Sequence, residues 1–191
     1  MMINEGNIIN QVIGGNTAAY RLLVDAYKDL VFSLVIKILR NREEAEEVTQ
    51  DTFLKAYHAL PSFKNESRFS TWLFRIAYNT SISKTRKKVV TMSVIDDYVI
   101  DNLSIDTIQE NIEQIDEDEK LKILKLTLDK LPNDEQLLIN LFYFNKQGIE
   151  EICDITGFTE SNVKVKLHRI RKKMYAIINE ELKKKHAIQG R

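Results

Sequence analysis

The chain has one cysteine, Cys153, in 191 residues. No intramolecular disulfide can form, and a reducing compartment, the cytoplasm, suits it. Cys153 itself reads as a small core residue. Three histidines, His58, His168 and His186, are scattered along the chain. No cysteine or carboxylate cluster has metal-ligand spacing and no glycine-rich phosphate loop is present, so neither a metal centre, a cofactor, a small-molecule substrate nor catalysis is expected. Two prolines, six glycines and few alternating apolar runs leave little room for a sheet, which points to an all-α protein. The N-terminus lacks a basic-then-apolar signal pattern, and no apolar run approaches the ~20 residues needed to span a bilayer. Membrane insertion is therefore not expected.

Charge of one sign is also lacking, with 28 basic and 28 acidic side chains. A net charge of zero argues against a general polyanion binder unless the charges are segregated, and they are. From Val89 to Glu119 there is no Lys or Arg but ten carboxylates, whereas from Lys164 onward ten Lys or Arg residues meet only Glu180 and Glu181. The acidic stretch is poor in aromatics, with scattered isoleucines that allow a short helix around Ile108, Ile112 and Ile115. It reads either as a solvated tether or as a nucleic-acid mimic drawn to basic channels.

The stretch from Gly148 to Tyr175 carries a helix-turn-helix pattern. Ile149, Ile152 and Cys153 mark one helix and Val163, Leu167, Ile170 and Met174 another. Between them Thr156-Gly157-Phe158 supplies a glycine that tolerates a left-handed turn. Thr159 is placed to cap the second helix. Lys164, Val165, His168 and Arg169 share the face opposite Val163, Leu167 and Ile170, which suits a DNA major groove, although an ordinary helix pair with a solvated basic face has the same pattern. Arg169 is the expected base reader, since a bidentate arginine contact to guanine discriminates by about 1–3 kcal/mol. Arg171, Lys172 and Lys173 are expected on phosphates, with Ser161 and Asn162 near the helix start. His168 is either a base contact or a surface residue, and the terminal KKKH run reads as a solvated tail.

Earlier in the chain, Ile8, Ile9, Val12 and Ile13 mark a short helix ended by Gly14-Gly15, with Asn16 or Thr17 capping the next. Tyr20, Leu23, Val24, Tyr27, Leu30, Val31, Leu34, Val35 and Ile38 follow as a wide apolar stripe. Asn41 caps a third helix whose core face is Ala45, Val48, Thr52 and Ala56. On another face Glu47, Gln50, Asp51 and Leu54 stand at i, i+3, i+4 and i+7, a row fit for a partner's arginines or for solvent. Leu60-Pro61 ends that helix, and after a polar loop Ser70 is placed to cap a fourth. There Phe69, Trp72, Phe74 and Tyr78 interleave with Arg75, Lys84, Arg86, Lys87 and Lys88. Aromatics can stack bases leaving a duplex while cations hold the backbone, or Phe69 and Trp72 can be core anchors. Farther on, Leu121, Leu124, Leu128 and Leu131 predict a stripe, and Leu137, Leu138, Leu141 and Phe142 predict a helix after Pro132. Both are expected to bury the back of the helix-turn-helix.

The run EEAEEVTQDTFLKAYHALPSFKNESRFSTWLFRIAYN resembles region 2 of the sigma-70 family, extracytoplasmic-function type, and LPNDEQLLINLFYFNKQGIEEICDITGFTESNVKVKLHRIRKKM resembles region 4. The resemblance implies two small helical domains joined by an acidic linker: 1–90 as region 2, 91–117 as the linker, 118–185 as region 4 and 186–191 as a tail. It implies a dissociable sigma factor with core RNA polymerase and promoter DNA as partners, and an anti-sigma factor as a further one. Glu47, Gln50, Asp51 and Leu54 would dock on the clamp helices of the largest polymerase subunits. The loop Lys64, Asn65, Glu66, Ser67 and Arg68 would capture a base flipped from the non-template strand of the minus-10 element, with Arg75, Tyr78 and Asn79 lining that strand or the adjoining duplex. The minus-35 element would meet Ser161, Asn162, Lys164, Val165, His168, Arg169, Arg171 and Lys172. In the family the linker runs through the polymerase near its active site. Gly148, Cys153 and Thr156 depart from the serine-like cap, alanine and leucine common there. The rival expectations are a two-domain helix-turn-helix regulator that binds duplex DNA without polymerase, and an all-helical adaptor that touches only proteins.

Overall fold

A computed structural model describes residues 4–86 and 116–189, with side chains to 85 and from 116 to 184. The acidic linker before Asp116, the helix expected around Ile108, Ile112 and Ile115, and Lys87 and Lys88 lie outside the described residues. Among those described, regular structure is helical: α1 (Glu5–Ile13), α2 (Tyr20–Leu39), α3 (Arg42–Ala59), α4 (Phe69–Arg86), α5 (Glu117–Asp129), α6 (Asn133–Ile139), α7 (Ile149–Thr156) and α8 (Glu160–Gln189). No helix among them is long and apolar enough to cross a membrane. The chain forms two compact units, one combining Met1–Thr91 with Leu137–Val163, the other Met92–Gln136 with Lys164–Arg191.

In the first unit, Asn4 starts α1 by accepting from the Asn7 amide at 3.1 Å. The helix buries Ile8, Ile9 and Val12 and ends at Gly14, after which Gly15 takes a φ of +100° that only glycine adopts freely. Neither Asn16 nor Thr17 caps α2 as expected. A 3-10 turn over Thr17–Ala19 leads directly into it, and its backbone satisfies the first donors, as when Ala19 donates to the Asn16 carbonyl at 3.1 Å. The α2 stripe is narrower than predicted: Leu23, Val31, Leu34 and Val35 are buried, but Leu30 remains 37% exposed. Asn41 caps α3 as expected, accepting from Glu44 N–H at 3.0 Å. Ala45, Val48, Thr52 and Ala56 all face inward, joined by Thr49 and Phe53. The buried Thr52 hydroxyl donates to the Val48 carbonyl at 2.7 Å, so its polarity is satisfied within the helix.

Helix α4 lies against α2, α3 and α7. It begins at Phe69, so Ser70 sits inside its first turn rather than capping it, and Trp72 N–H instead reaches the Arg68 carbonyl at 3.1 Å. Its inner face carries Phe69, Thr71, Leu73, Phe74, Ala77, Thr80 and Ser81. Leu137, Leu138, Ile139 and Leu141 are buried across α6 and the π turn Asn140–Phe144, where Asn140 donates to the Ser33 hydroxyl of α2 at 2.9 Å. With Ile152 and Ile155 of α7 also buried, this segment clusters with the N-terminal helices.

In the second unit, Asp116 caps α5 by accepting from Glu119 N–H at 2.9 Å. The predicted leucine stripe is not the inner face: Leu131 is buried, but Leu121 is 63% and Leu124 38% exposed. The buried position is Thr127, whose hydroxyl closes on the Ile123 carbonyl at 2.7 Å; a threonine that satisfies itself in this way can replace leucine on an inner face. Lys130 ties the end of α5 to Glu181 of α8 at 2.8 Å, beside the buried Leu182. Hydrogen bonds from Lys130 and Lys184 hold the Glu181 carboxyl below the usual range. Helix α8 continues to Gln189, so the expected tail from 186 is helical over most of its length.

Phe74 has no exposed surface and sits where α4 meets its neighbours. Phe74→Ala is expected to lower unfolding free energy by about 3–5 kcal/mol, measured as a reduced urea midpoint with little change in slope.

Candidate nucleic-acid interface

Three exposed surfaces arise from helices whose opposite faces are buried. On α3, the packing of Ala45, Val48, Thr52 and Ala56 turns Glu47, Gln50, Asp51 and Leu54 outward, and Leu54 is 60% exposed. Glu47 forms an ion pair with Lys84 of α4, a neighbour that the spacing of α3 alone does not reveal.

The second surface is the loop before α4 and the outer face of that helix. Phe63 and Phe69, at the two ends of the loop, meet edge-to-face at 5.8 Å between ring centres. Trp72 lies 5.1 Å from Phe63 and 5.6 Å from Phe69. This aromatic cluster fixes where the loop leaves and rejoins the fold. Between the anchors Lys64, Asn65, Glu66 and Arg68 are exposed and Ser67 is half-buried, with Asn65 in the left-handed region at φ +57°. Arg75 and Asn79 are exposed on α4 and Tyr78 is half-buried. Phe69 and Phe74 are core residues, which removes them from the expected stacking surface; Trp72, half-buried, belongs to the loop anchor. Aromatic residues at helical spacing had two uses, and burial selected the structural one.

Arg68 also makes an ion pair with Glu151 of α7 at 3.1 Å. Thr71, just behind it and 1% exposed, has its hydroxyl oxygen 2.9 Å from both the Gln147 amide oxygen and the Glu151 carboxylate. Its one hydrogen serves these acceptors in turn. Thr71, Gln147 and Glu151 escape a reading of the sequence because a lone polar residue on an inner face carries no periodic signal.

The third surface follows the turn. Gly157 adopts φ +76°, as expected, and Phe158 N–H donates to the Thr156 hydroxyl at 3.3 Å. Thr159 accepts from Asn162 N–H at 3.3 Å, which caps α8 as the sequence predicts. Glu151 reaches back to Gly148 N–H at 2.7 Å, so the first helix starts securely without a serine cap. Cys153 is half-buried rather than a core residue; partial burial, with Glu160 and Asp154 nearby, pushes its thiol up and away from reactivity. On α8, Val163, Leu167 and Ile170 are buried while Ser161, Asn162, Lys164, Val165, His168, Arg169 and Lys172 are exposed. Arg171 is half-buried. Lys173 is bound to Glu135 of α6 at 3.2 Å, and Lys166 approaches Asp134 at 3.9 Å. Lys173, expected on a phosphate, is thus already engaged by a carboxylate of α6. Among the described residues, no group of three or more His, Cys, Asp or Glu side chains is placed to hold a metal.

The geometry therefore presents a carboxylate row, a polar loop with a cationic helix behind it, and a cationic helix face with an apolar back. Comparison with known proteins places the chain in one family. Residues 23–90 match the model of sigma-70 region 2, and residues 121–174 match sigma-70 region 4. The chain is 31% identical over 183 residues to the ECF RNA polymerase sigma factor SigW of Bacillus subtilis, covering 90% of this chain and 94% of that protein. It is 32% identical over 172 residues to the ECF RNA polymerase sigma-E factor of Escherichia coli K12, covering 86% and 88%. Among solved structures, its fold resembles that of CnrH in complex with the cytosolic domain of CnrY, with a TM-score of 0.60, 22% identity and coverage of 91% and 96%. It also resembles the sigma factor RpoE in complex with the anti-sigma factor NepR from Bartonella quintana, with a TM-score of 0.56, 19% identity and coverage of 84% and 96%. The chain belongs to the sigma-70 family of RNA polymerase sigma factors, extracytoplasmic-function type, and is an alternative sigma factor that binds core polymerase and directs transcription from specific promoters.

Proposed function

We propose that this sigma factor divides its work among the three surfaces, and that it performs no chemistry of its own. Residues 1–90 form the part that holds core polymerase and the minus-10 element, 91–117 connect, and 118–185 read the minus-35 element, with 186–191 beyond them. One observation carries this division: on α3 and α8 alike, the residues suited to a partner stand on the exposed side of a helix whose other side is buried.

Glu47, Gln50, Asp51 and Leu54 bind core polymerase. Leu54 supplies apolar area at one end of the row, and the acids select a basic partner. Lys64, Asn65, Glu66, Ser67 and Arg68 take an unstacked base of the minus-10 element, with Arg75, Tyr78 and Asn79 along the strand. Lys164, Val165, His168 and Arg169 enter the major groove at the minus-35 element, where Arg169 reads guanine, and Ser161, Asn162, Arg171 and Lys172 fix the register on phosphates. The protein works in the cytoplasm, in keeping with its lone cysteine. An anti-sigma factor is a further partner; the two solved neighbours of similar fold are each held in a complex, one of them with a named anti-sigma factor.

The direct experiment is transcription with purified core polymerase and candidate promoters. The chain is expected to produce a promoter-directed transcript, and Asp51→Arg to raise the concentration needed for half-maximal transcript by about tenfold or more, as expected for a like charge at an interface. Undiminished capture by Asp51→Arg would remove the acidic row from the polymerase interface.

Arg169 and Lys172 separate reading from holding. Arg169→Ala should relax preference at one promoter position by about 1–3 kcal/mol, scored by competition among point-substituted minus-35 sequences. Lys172→Ala should weaken all sequences alike and flatten the salt slope by about one unit. Preserved preference after Arg169→Ala would assign the reading to another residue of the face.

A further inference from the structure

We infer that the outward face of α8 selects a thymine by its methyl group, and that Val165 is the residue that selects it. The inference rests on the assignment of that face to the minus-35 element and of Arg169 to a guanine. It adds a second base and the chemical group by which that base is told apart.

Val165 is 46% exposed, whereas Leu167 and Ile170 of the same helix are 2% and 1% exposed. At about 100° of rotation per residue it points almost directly away from both, so the interior makes no demand on it. Ser161 and Asn162 precede it by one turn and His168 and Arg169 follow by one turn, all four polar and exposed. Val165 is thus the middle member of these five and the apolar one. It lies in the second turn of a helix that begins at Glu160, near the end of a recognition helix that reaches base edges. Its branch at Cβ leaves one strongly preferred rotamer in a helix, so its two methyl groups are held in place before DNA arrives.

A single exposed valine is ordinary in water, but in a groove it makes a choice. On the major-groove side guanine offers N7 and O6, adenine N7 and N6, cytosine N4 and thymine O4, all of them hydrogen-bonding groups. Thymine alone adds an apolar one, its C5 methyl. The valine side chain can neither donate nor accept. Against a purely polar edge it displaces water and returns no hydrogen bond, whereas against thymine it covers methyl with methyl. It therefore favours thymine by a gain and disfavours the other bases by a loss. Arg169 stands four residues farther along, about 6 Å of helix, and successive base pairs are about 3.4 Å apart, so the thymine and the guanine fall within about two base pairs of each other.

Holoenzyme assembled from the full-length chain and core polymerase tests this on a promoter library randomised across the minus-35 region, with the transcribed templates sequenced. The native chain is expected to select thymine at one position, within about two base pairs of a guanine whose selection is lost in Arg169→Ala. Replacing that thymine by uracil, which pairs alike but lacks the methyl, should weaken promoter use about fourfold. Val165→Ser should keep the guanine preference, which shows that the helix still enters the groove, yet lose the thymine preference and use the thymine and uracil templates equally. Absence of a selected thymine in that span, equal use of thymine and uracil by the native chain, or undiminished discrimination by Val165→Ser would each overturn the inference while leaving the reading of guanine in place. If the native chain selects no minus-35 sequence, or if Arg169→Ala and Val165→Ser both select as the native chain does, the assignment of the face falls and the inference with it.

Discussion

The burial of α4 is the constraint on which the rest depends. Its inner residues, from Phe69 and Thr71 through Leu73, Phe74 and Ala77 to Ser81, occupy the surface shared with α2, α3 and α7. Because one helix must satisfy three neighbours, its rotation is fixed, and its remaining narrow face is the one carrying Arg75 and Asn79. The same rotation sets the aromatic anchors Phe63 and Trp72 at the base of the loop and brings Lys84 to Glu47. Packing, which carries no information about DNA, thereby positions the groups proposed to meet it.

Electrostatics act on this frame rather than build it. Exposed pairs such as Arg42 with Glu46 and Arg21 with Asp25 contribute little and are screened by salt. More consequential is which cations are already engaged. Lys173 answers Glu135 and Lys166 approaches Asp134, while Lys172 between them in sequence projects outward. A net charge of zero is compatible with a nucleic-acid partner, since the cations are concentrated from Lys164 onward while carboxylates gather elsewhere in the chain.

Much of this was legible in the residues. The helix-turn-helix, its left-handed Gly157, the Thr159 cap and the outward row on α3 all follow from spacing, because local backbone rules and helical period govern them. What spacing could not give is the choice among tertiary partners. Leu121 and Leu124 fit a core stripe by period, yet Thr127 is the buried residue; Phe69 and Phe74 fit a stacking surface, yet they fill the interior. Ser70 has the chemistry of a cap, but α4 starts one residue earlier. Thr71 meets Gln147 and Glu151 only in the folded chain, lying 76 and 80 residues from them along the sequence.

The central claim is that the outward stripe of α4 handles opened DNA while its back holds the fold together. Permanganate reactivity of unpaired thymines in a polymerase–promoter complex tests it most directly. With the native chain the thymines of the minus-10 region should react, and with Arg75→Ala and Asn79→Ala combined the complex should still form but show clearly weaker reactivity there. Full reactivity from the combined variant would contradict the account.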